Sequence, residues 1–229
     1  MKTLLFSLTL IISGLTSLQA QFNENPILNL ENEDKKRLNW GYYLGFNQYD
    51  FKVDFSDLPT NINDLYVIKN IGFNVGLIGE LRLNDYFDLR FEPGLHYAQR
   101  EIQFPNSIES DQLWDFRSAY IHLPLLLKAS TKRLGNIKPF IVGGASYSYN
   151  LTNRSDPDDF IIRKNNYYWE VGFGIDIYMR YFKFSPSIRG AFAFKNEIHP
   201  NPKKPQSYGM LQNVTGAYTR AIFVNFTFE

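Results

Sequence analysis

The segment FDLRFEPGLHYA, Phe87 to Ala98, alternates along its whole length. In an extended chain Phe87, Leu89, Phe91, Pro93, Leu95 and Tyr97 share one face, and Asp88, Arg90, Glu92, Gly94, His96 and Ala98 share the other. A helical period of 3.6 would mix the two sets, so this segment reads as a strand with one wholly apolar face. The same period of two marks eight segments: Trp40 to Val53, Ile71 to Leu83, Phe87 to Phe104, Ser118 to Ser130, Lys138 to Asn150, Tyr167 to Met179, Phe182 to Phe194 and Ala217 to Phe228. Nothing between them reads as a long amphipathic helix, and the chain is all-β.

The composition of the two faces decides which one meets solvent. Trp169, Val171, Phe173, Ile175 and Ile177 oppose Glu170, Gly172, Gly174 and Asp176, and Tyr218, Ile222, Val224, Phe226 and Phe228 oppose Thr219, Ala221, Asn225 and Thr227. The outer face of a soluble sandwich is dense in Lys, Glu and Thr. Here the polar faces are instead rich in Gly, Ala and Ser, and their charges come in both signs, which suits a narrow interior with internal ion pairs. The apolar faces then meet lipid. With 17% aromatic residues and no cysteine, the pattern predicts an eight-stranded antiparallel transmembrane β-barrel.

The connections give an independent test. Residues 84–86, 131–137 and 180–181 are short, while 54–70, 105–117, 151–166 and 195–216 are long, and the two kinds strictly alternate. An exported barrel places short turns in the periplasm and long loops outside. The final strand ends RAIFVNFTFE, with aromatic Phe228 next to last and Glu229 where such barrels usually place the aromatic.

Upstream, Met1 to Ala20 combines Lys2, an apolar run and a small residue before Gln21, and reads as a secretory signal peptide. Residues 21–37 form a polar periplasmic segment, and 38–229 the barrel. The absence of cysteine excludes a lipid-modified N-terminal cysteine, disulfides and Cys-based metal sites. A formal charge of +1 with scattered Lys and Arg gives no footprint for nucleic acid.

The stretch YIHLPLLLK, Tyr120 to Lys128, holds both a proline and a histidine. As a strand it turns Ile121, Leu123, Leu125 and Leu127 to lipid and His122, Pro124 and Lys128 inward. A closed barrel has no edge to accept proline, so a bulge or a local break in pairing is expected at Pro124.

Candidate chemistry lies on the inward faces. Glu80, Arg82, Arg90, Glu92, His96, His122, Glu170, Asp176 and Arg189 form a lumen polar network, with Arg100, Lys128 and Lys183 on the same side. An eight-stranded barrel is wide enough only for its side chains, so these residues read as a neutralising plug; a proton path or ligand site is the alternative. His96 and His122 on neighbouring strands read as hydrogen-bonded structural groups. The alternative is an outer-membrane lipid-modifying enzyme, with no HExxH or GxSxG motif to support it. Gly72 to Gly79 and Val142 to Ser146 lack the strand-to-helix context of a phosphate loop. No catalytic, cofactor-binding or metal residue is assigned, and no small-molecule substrate is expected. Arg220 falls on the lipid-facing side without an explanation.

FEPGLHY and YIHLPLLLK together resemble the PorT-like (SprT-like) outer-membrane β-barrel family, and KKRLNWGYYLGFNQYDFKVDF resembles that family's first strand. The resemblance implies a bacterial outer-membrane component of the type IX secretion system, supporting protein export and gliding motility. Its implied partners are lipid and the secretion translocon or periplasmic ring proteins. It brings no active-site residues to transfer. A generic structural or adhesive barrel uses the same strands and long loops and remains the alternative.

Overall fold

The computed structural model describes residues 27–55, 66–103, 113–152, 164–195 and 214–229. The expected signal peptide lies outside them. The strands are β1 (Leu38–Phe55), β2 (Tyr66–Lys69), β3 (Ile71–Arg82), β4 (Phe87–Phe91), β5 (Gly94–Gln103), β6 (Leu113–Ser130), β7 (Ile137–Asn150), β8 (Asn165–Tyr178), β9 (Lys183–Ala193) and β10 (Val214–Phe228). Only Asn70 separates β2 from β3, and only Glu92 and Pro93 separate β4 from β5, so each pair forms one stave. Eight antiparallel staves close through the β1–β10 and β1–β3 pairings. No helix among the described residues is long and apolar enough to cross a membrane; the crossing is made by strands.

The ring closes with a stagger. Partners followed from Asp50 run through Arg220, Phe192, Trp169, Ala145, Leu125, Phe91 and Gly79, and return to β1 at Trp40 rather than Asp50. Such a shear tilts the strands by about 40° to the barrel axis. It also makes a row of hydrogen-bonded partners climb across the wall.

Alternation sets the two surfaces. On β1, Trp40, Tyr42, Leu44 and Phe46 are exposed while Tyr43, Asn47 and Tyr49 are buried. Aromatics gather at both edges of the apolar band, as a lipid-facing wall requires. Phe228 stacks on Tyr42 and touches Phe184 at the short-turn end, with centroids 5.3 and 5.2 Å apart. Trp169 and Phe192 stack at 4.5 Å nearer the other end.

Several strands run further toward the long-connection end than the apolar pattern foretold. β1 reaches Phe55, β6 begins at Leu113, β10 at Val214, and β2 occupies part of the expected loop 54–70. Ladder pairing continues there after the outward residues turn polar, as at Gln48, Asp50 and Lys52. Hydrophobic alternation is blind to such extensions.

Pro124 brings no bulge. β6 pairs with β7 in one register through Pro124 and Ser146. On its other side the ladder is interrupted at Glu92 and Pro93, between β4 and β5, yet Phe91 with Leu125 and Gly94 with His122 keep the same register. The break therefore lies in the neighbouring stave.

The described part of the N-terminal segment folds under the short-turn mouth. Asn29 N donates to Asn136 Oδ1 at 2.9 Å, Asn29 Nδ2 donates to the Tyr178 carbonyl at 3.0 Å, and Asn136 Nδ2 donates to the Ile27 carbonyl at 3.0 Å. A short 3-10 turn, Glu33–Lys35, follows. Residues 27–37 thus act as a fitted cover over that end of the lumen.

Candidate functional site

Among the described residues, the largest group of charged and polar side chains converges in the lumen, and the tilted, alternating strands put them there. Their number follows from sterics: inward Gly, Ala and Ser leave the room that long charged side chains fill.

At the short-turn half, Glu80 on β3 is a hub. Arg90 Nη2 on β4 approaches Glu80 Oε2 at 2.6 Å, Lys128 Nζ on β6 approaches the same oxygen at 3.2 Å, and Lys183 Nζ on β9 approaches Oε1 at 3.4 Å. Lys128 also meets Asp176 on β8 at 2.7 Å, where Ser185 Oγ donates at 2.7 Å. Lys183 meets Glu229 at 2.8 Å, and Arg90 reaches both Glu92 and Glu229 at 3.3 Å. Lys128 and Arg90 further lie over the Phe140 ring, at 4.5 and 5.4 Å. Burying these charges singly would cost several kcal/mol each, so mutual pairing is what makes the interior tenable.

Arg189 on β9 extends the network upward. Its Nη2 lies 2.6 Å from Glu92 Oε2, and its Nη1 lies 3.5 Å from Glu170 Oε2. Glu170 Oε1 sits 2.7 Å from His122 Nε2. A carboxylate acceptor there fixes Nε2 as the donor nitrogen of His122. The His96 and His122 rings are 4.4 Å apart, and Tyr49 Oη lies 3.0 Å from His96 Nδ1. Phe223 presses edge-on against both histidines. Above them Tyr49, Tyr120, Tyr168 and Phe223 make a buried aromatic layer. Both imidazoles are therefore enclosed by packing and placed away from bulk solvent.

Beside this network runs an amide chain. Asn47 Nδ2 donates to Asn74 Oδ1 at 2.7 Å, and Asn74 Nδ2 donates to Asn225 Oδ1 at 2.6 Å, which links β1, β3 and β10 at the closure. Tyr43 stands next to it, its ring in a notch between the paired glycines Gly76 and Gly94. A Cβ at either glycine would fall on that ring or its hydroxyl.

The covered mouth has its own cluster. Asp34 accepts from Tyr178 Oη at 2.8 Å and from Arg133 Nη1 at 3.1 Å, with Arg82 at 3.4 Å and Lys138 at 4.0 Å. The Arg133 guanidinium lies 3.7 Å over the Tyr178 ring and also donates to the Asn29 and Leu30 carbonyls. Burial opposes ionisation of Asp34, but the Tyr178 and Arg133 hydrogen bonds and the Lys138 and Arg133 charges outweigh it. Its carboxyl is held below the usual aspartate range.

Of the residues expected in the lumen, Glu80, Arg90, Glu92, His96, His122, Glu170, Asp176 and Arg189 are buried and joined as described. Arg82 stands apart at the mouth, between Asp34 and Asp88. The side chain of Arg100 lies outside the described residues. Sequence reasoning missed Glu229, Asp34, Arg133 and the asparagine chain. Glu229 was within reach: carrying the alternation one residue past outward Phe228 turns it inward. Arg133 and Asp34 belong to no alternating segment, so no periodic signal could find them. Among the described residues no group of three His, Asp or Glu is placed to hold a metal ion.

The fold is similar to solved outer-membrane barrels. OprG from Pseudomonas aeruginosa aligns over 82% of this chain and 94% of its own, at 10% identity and a TM-score of 0.48. Neisserial surface protein A aligns over 81% and 95%, at 11% identity and 0.44. AlkL, determined in lipid bilayers, aligns over 91% and 94%, at 13% identity and 0.42. No curated protein sequence matches the chain. The family described as outer membrane protein beta-barrel domain matches residues 19–199. With most of its length matched, the chain belongs to that family and resides in the bacterial outer membrane.

Proposed function

We propose that this protein is a non-enzymatic accessory barrel of the type IX secretion system, which supports protein export and gliding motility by contact with the translocon or its periplasmic ring. In this reading residues 1–20 direct export and 38–229 form the barrel. The filled lumen carries it: the Glu80 and Arg189 networks, the aromatic layer above them and the covered mouth below leave the interior little else to do. A barrel whose interior neither conducts nor exposes a reactive group works through its outer surfaces and ends. The resemblance of Lys35 to Phe55, FEPGLHY and YIHLPLLLK to the PorT-like family supplies the export role.

A deletion strain tests it, with secreted-protein levels and surface spreading as readouts. Loss of both, restored by the full chain, is the expected result. Normal secretion and spreading would sink the secretion role and leave a structural or adhesive barrel. Solubilised outer membrane pulled down on the tagged chain should bring secretion components with it.

A further inference from the structure

The lipid-facing wall between β6 and β9 is not smooth. A groove of about 650 Å³ crosses it, lined by apolar residues from four neighbouring strands. Its floor is the partner row Leu127, Gly143, Val171 and Gly190. At Gly143 a Cβ would meet nothing nearer than a backbone oxygen at 3.8 Å, so the missing side chain leaves open space. Ile141, Phe173 and Ile188, themselves a partner row, form the lower rim. The stacked Trp169 and Phe192 stand in the row above. From Leu127 to Gly190 the floor spans about 14 Å at an interstrand spacing of about 4.8 Å, a length suited to one acyl chain.

The barrel's stagger makes this groove climb toward the long-connection end. Ile222, partner of Gly190, continues the floor row beyond the groove and lies two positions from Arg220 on the same outward face. Arg220 in turn is the partner of Phe192 on one side and Asp50 on the other. Its side chain is 48% exposed with Nη2 3.6 Å from Asp50 Oδ2, and Lys69 Nζ lies 2.9 Å from the same oxygen with 44% exposed. Two cations thus share one carboxylate at the edge of the apolar band. Cations at that level, beside hydrocarbon, favour an anionic headgroup.

We propose that this wall is a binding site for one phosphorylated lipid of the outer leaflet, with an acyl chain in the Gly143–Val171–Gly190 groove and a headgroup phosphate on Arg220 and Lys69. Asp50 holds the two cations side by side and limits their attraction. The groove selects lipid over free phosphate, and the cations select a phosphorylated headgroup over a neutral one.

Native mass spectrometry of the full chain, released from detergent with bisphosphorylated lipid A, tests the site. Heat-modifiable gel mobility verifies that each variant is folded. One retained lipid is expected, and much weaker retention of the dephosphorylated form. Arg220→Gln with Lys69→Gln should lower retention about tenfold or more. Gly143→Leu, which fills the groove from outside, should lower it also, and Asp50→Asn should raise it, an outcome that misfolding cannot imitate. Unchanged retention in the Arg220→Gln/Lys69→Gln protein overturns the proposal. So does equal retention of the dephosphorylated lipid. Displacement by millimolar inorganic phosphate, with Gly143→Leu without effect, would mean a free-phosphate site and overturns it as well.

Discussion

Pro124 lies opposite Glu92, and the Glu92 carbonyl that a proline cannot serve is met instead by the Tyr43 hydroxyl at 3.5 Å. The Glu92 N–H still donates to the Pro124 carbonyl at 3.3 Å, so only half of the pair is lost. The ring that supplies the substitute comes from β1, across the lumen face of β3. The proline thus sits in an unbroken register with half of its pair kept, and the Tyr43 hydroxyl offers a long, weak substitute for the missing donor.

Tyr43→Phe should leave that carbonyl without a donor and lower stability by about 1–2 kcal/mol, read as a shift in the urea midpoint of folding in detergent. Pro124→Ala restores the ladder donor. The Tyr43→Phe loss should therefore shrink in a Pro124→Ala background. Equal losses in both backgrounds would show that Tyr43 acts through packing alone.

Glu80→Gln removes the charge on which Arg90, Lys128 and Lys183 converge. Arg90 keeps Glu92 and Glu229, Lys128 keeps Asp176 and Lys183 keeps Glu229. The buried network is nevertheless left with one uncompensated positive charge, which costs about 3–5 kcal/mol. The expected result is a clear fall in the temperature at which the folded gel band disappears. Adding Lys183→Met should recover part of it, since the charge is then balanced while Glu229 keeps Arg90 and Asp176 keeps Lys128.

His96 and His122 are packed among Phe223, Tyr49 and Glu170. His96→Ala and His122→Ala should lower stability while still complementing a deletion strain for secretion. Glu170 keeps Arg189 as a partner in the second variant. Loss of complementation with normal folded protein in the membrane would instead place chemistry at the histidines.

Asp34 ties the N-terminal cover to the barrel mouth through Tyr178 and Arg133. With its carboxyl held below the usual value of 3.8, its stabilising contribution is complete above that pH. It fades as pH falls through the lowered folded value. Protection of the amides of residues 27–37, with the pH-dependent intrinsic exchange rate divided out, should therefore be flat from neutral pH to about 4 and fall below it. Asp34→Asn should show faster exchange already at neutral pH and lose the step.

Much of this molecule was legible in its residue order, because the side-chain period of a strand is a local property. Phe87 to Ala98 or Tyr167 to Met179 sort into two faces without knowledge of any partner. The strand count, the inward placement of Glu80, Arg90, Glu170 and Arg189, and the outward placement of Arg220 follow from that sorting. The outer ends of β1, β6 and β10 did not, since ladder hydrogen bonds there persist without hydrophobic contrast.

Which inward charge meets which was decided only in three dimensions. Arg90 reaches Glu229 across the lumen, and Arg220 finds Asp50, because the first strand closes on the last with a fixed stagger. Closure is a property of the whole ring. No single strand encodes it, so neither the ion-pair network nor the rising glycine groove could be read from local pattern. The cover formed by residues 27–37 is of the same kind: Asp34 is an ordinary polar residue in the sequence, and only the mouth assembled from β3, β7, β8 and the turn bearing Arg133 gives it partners.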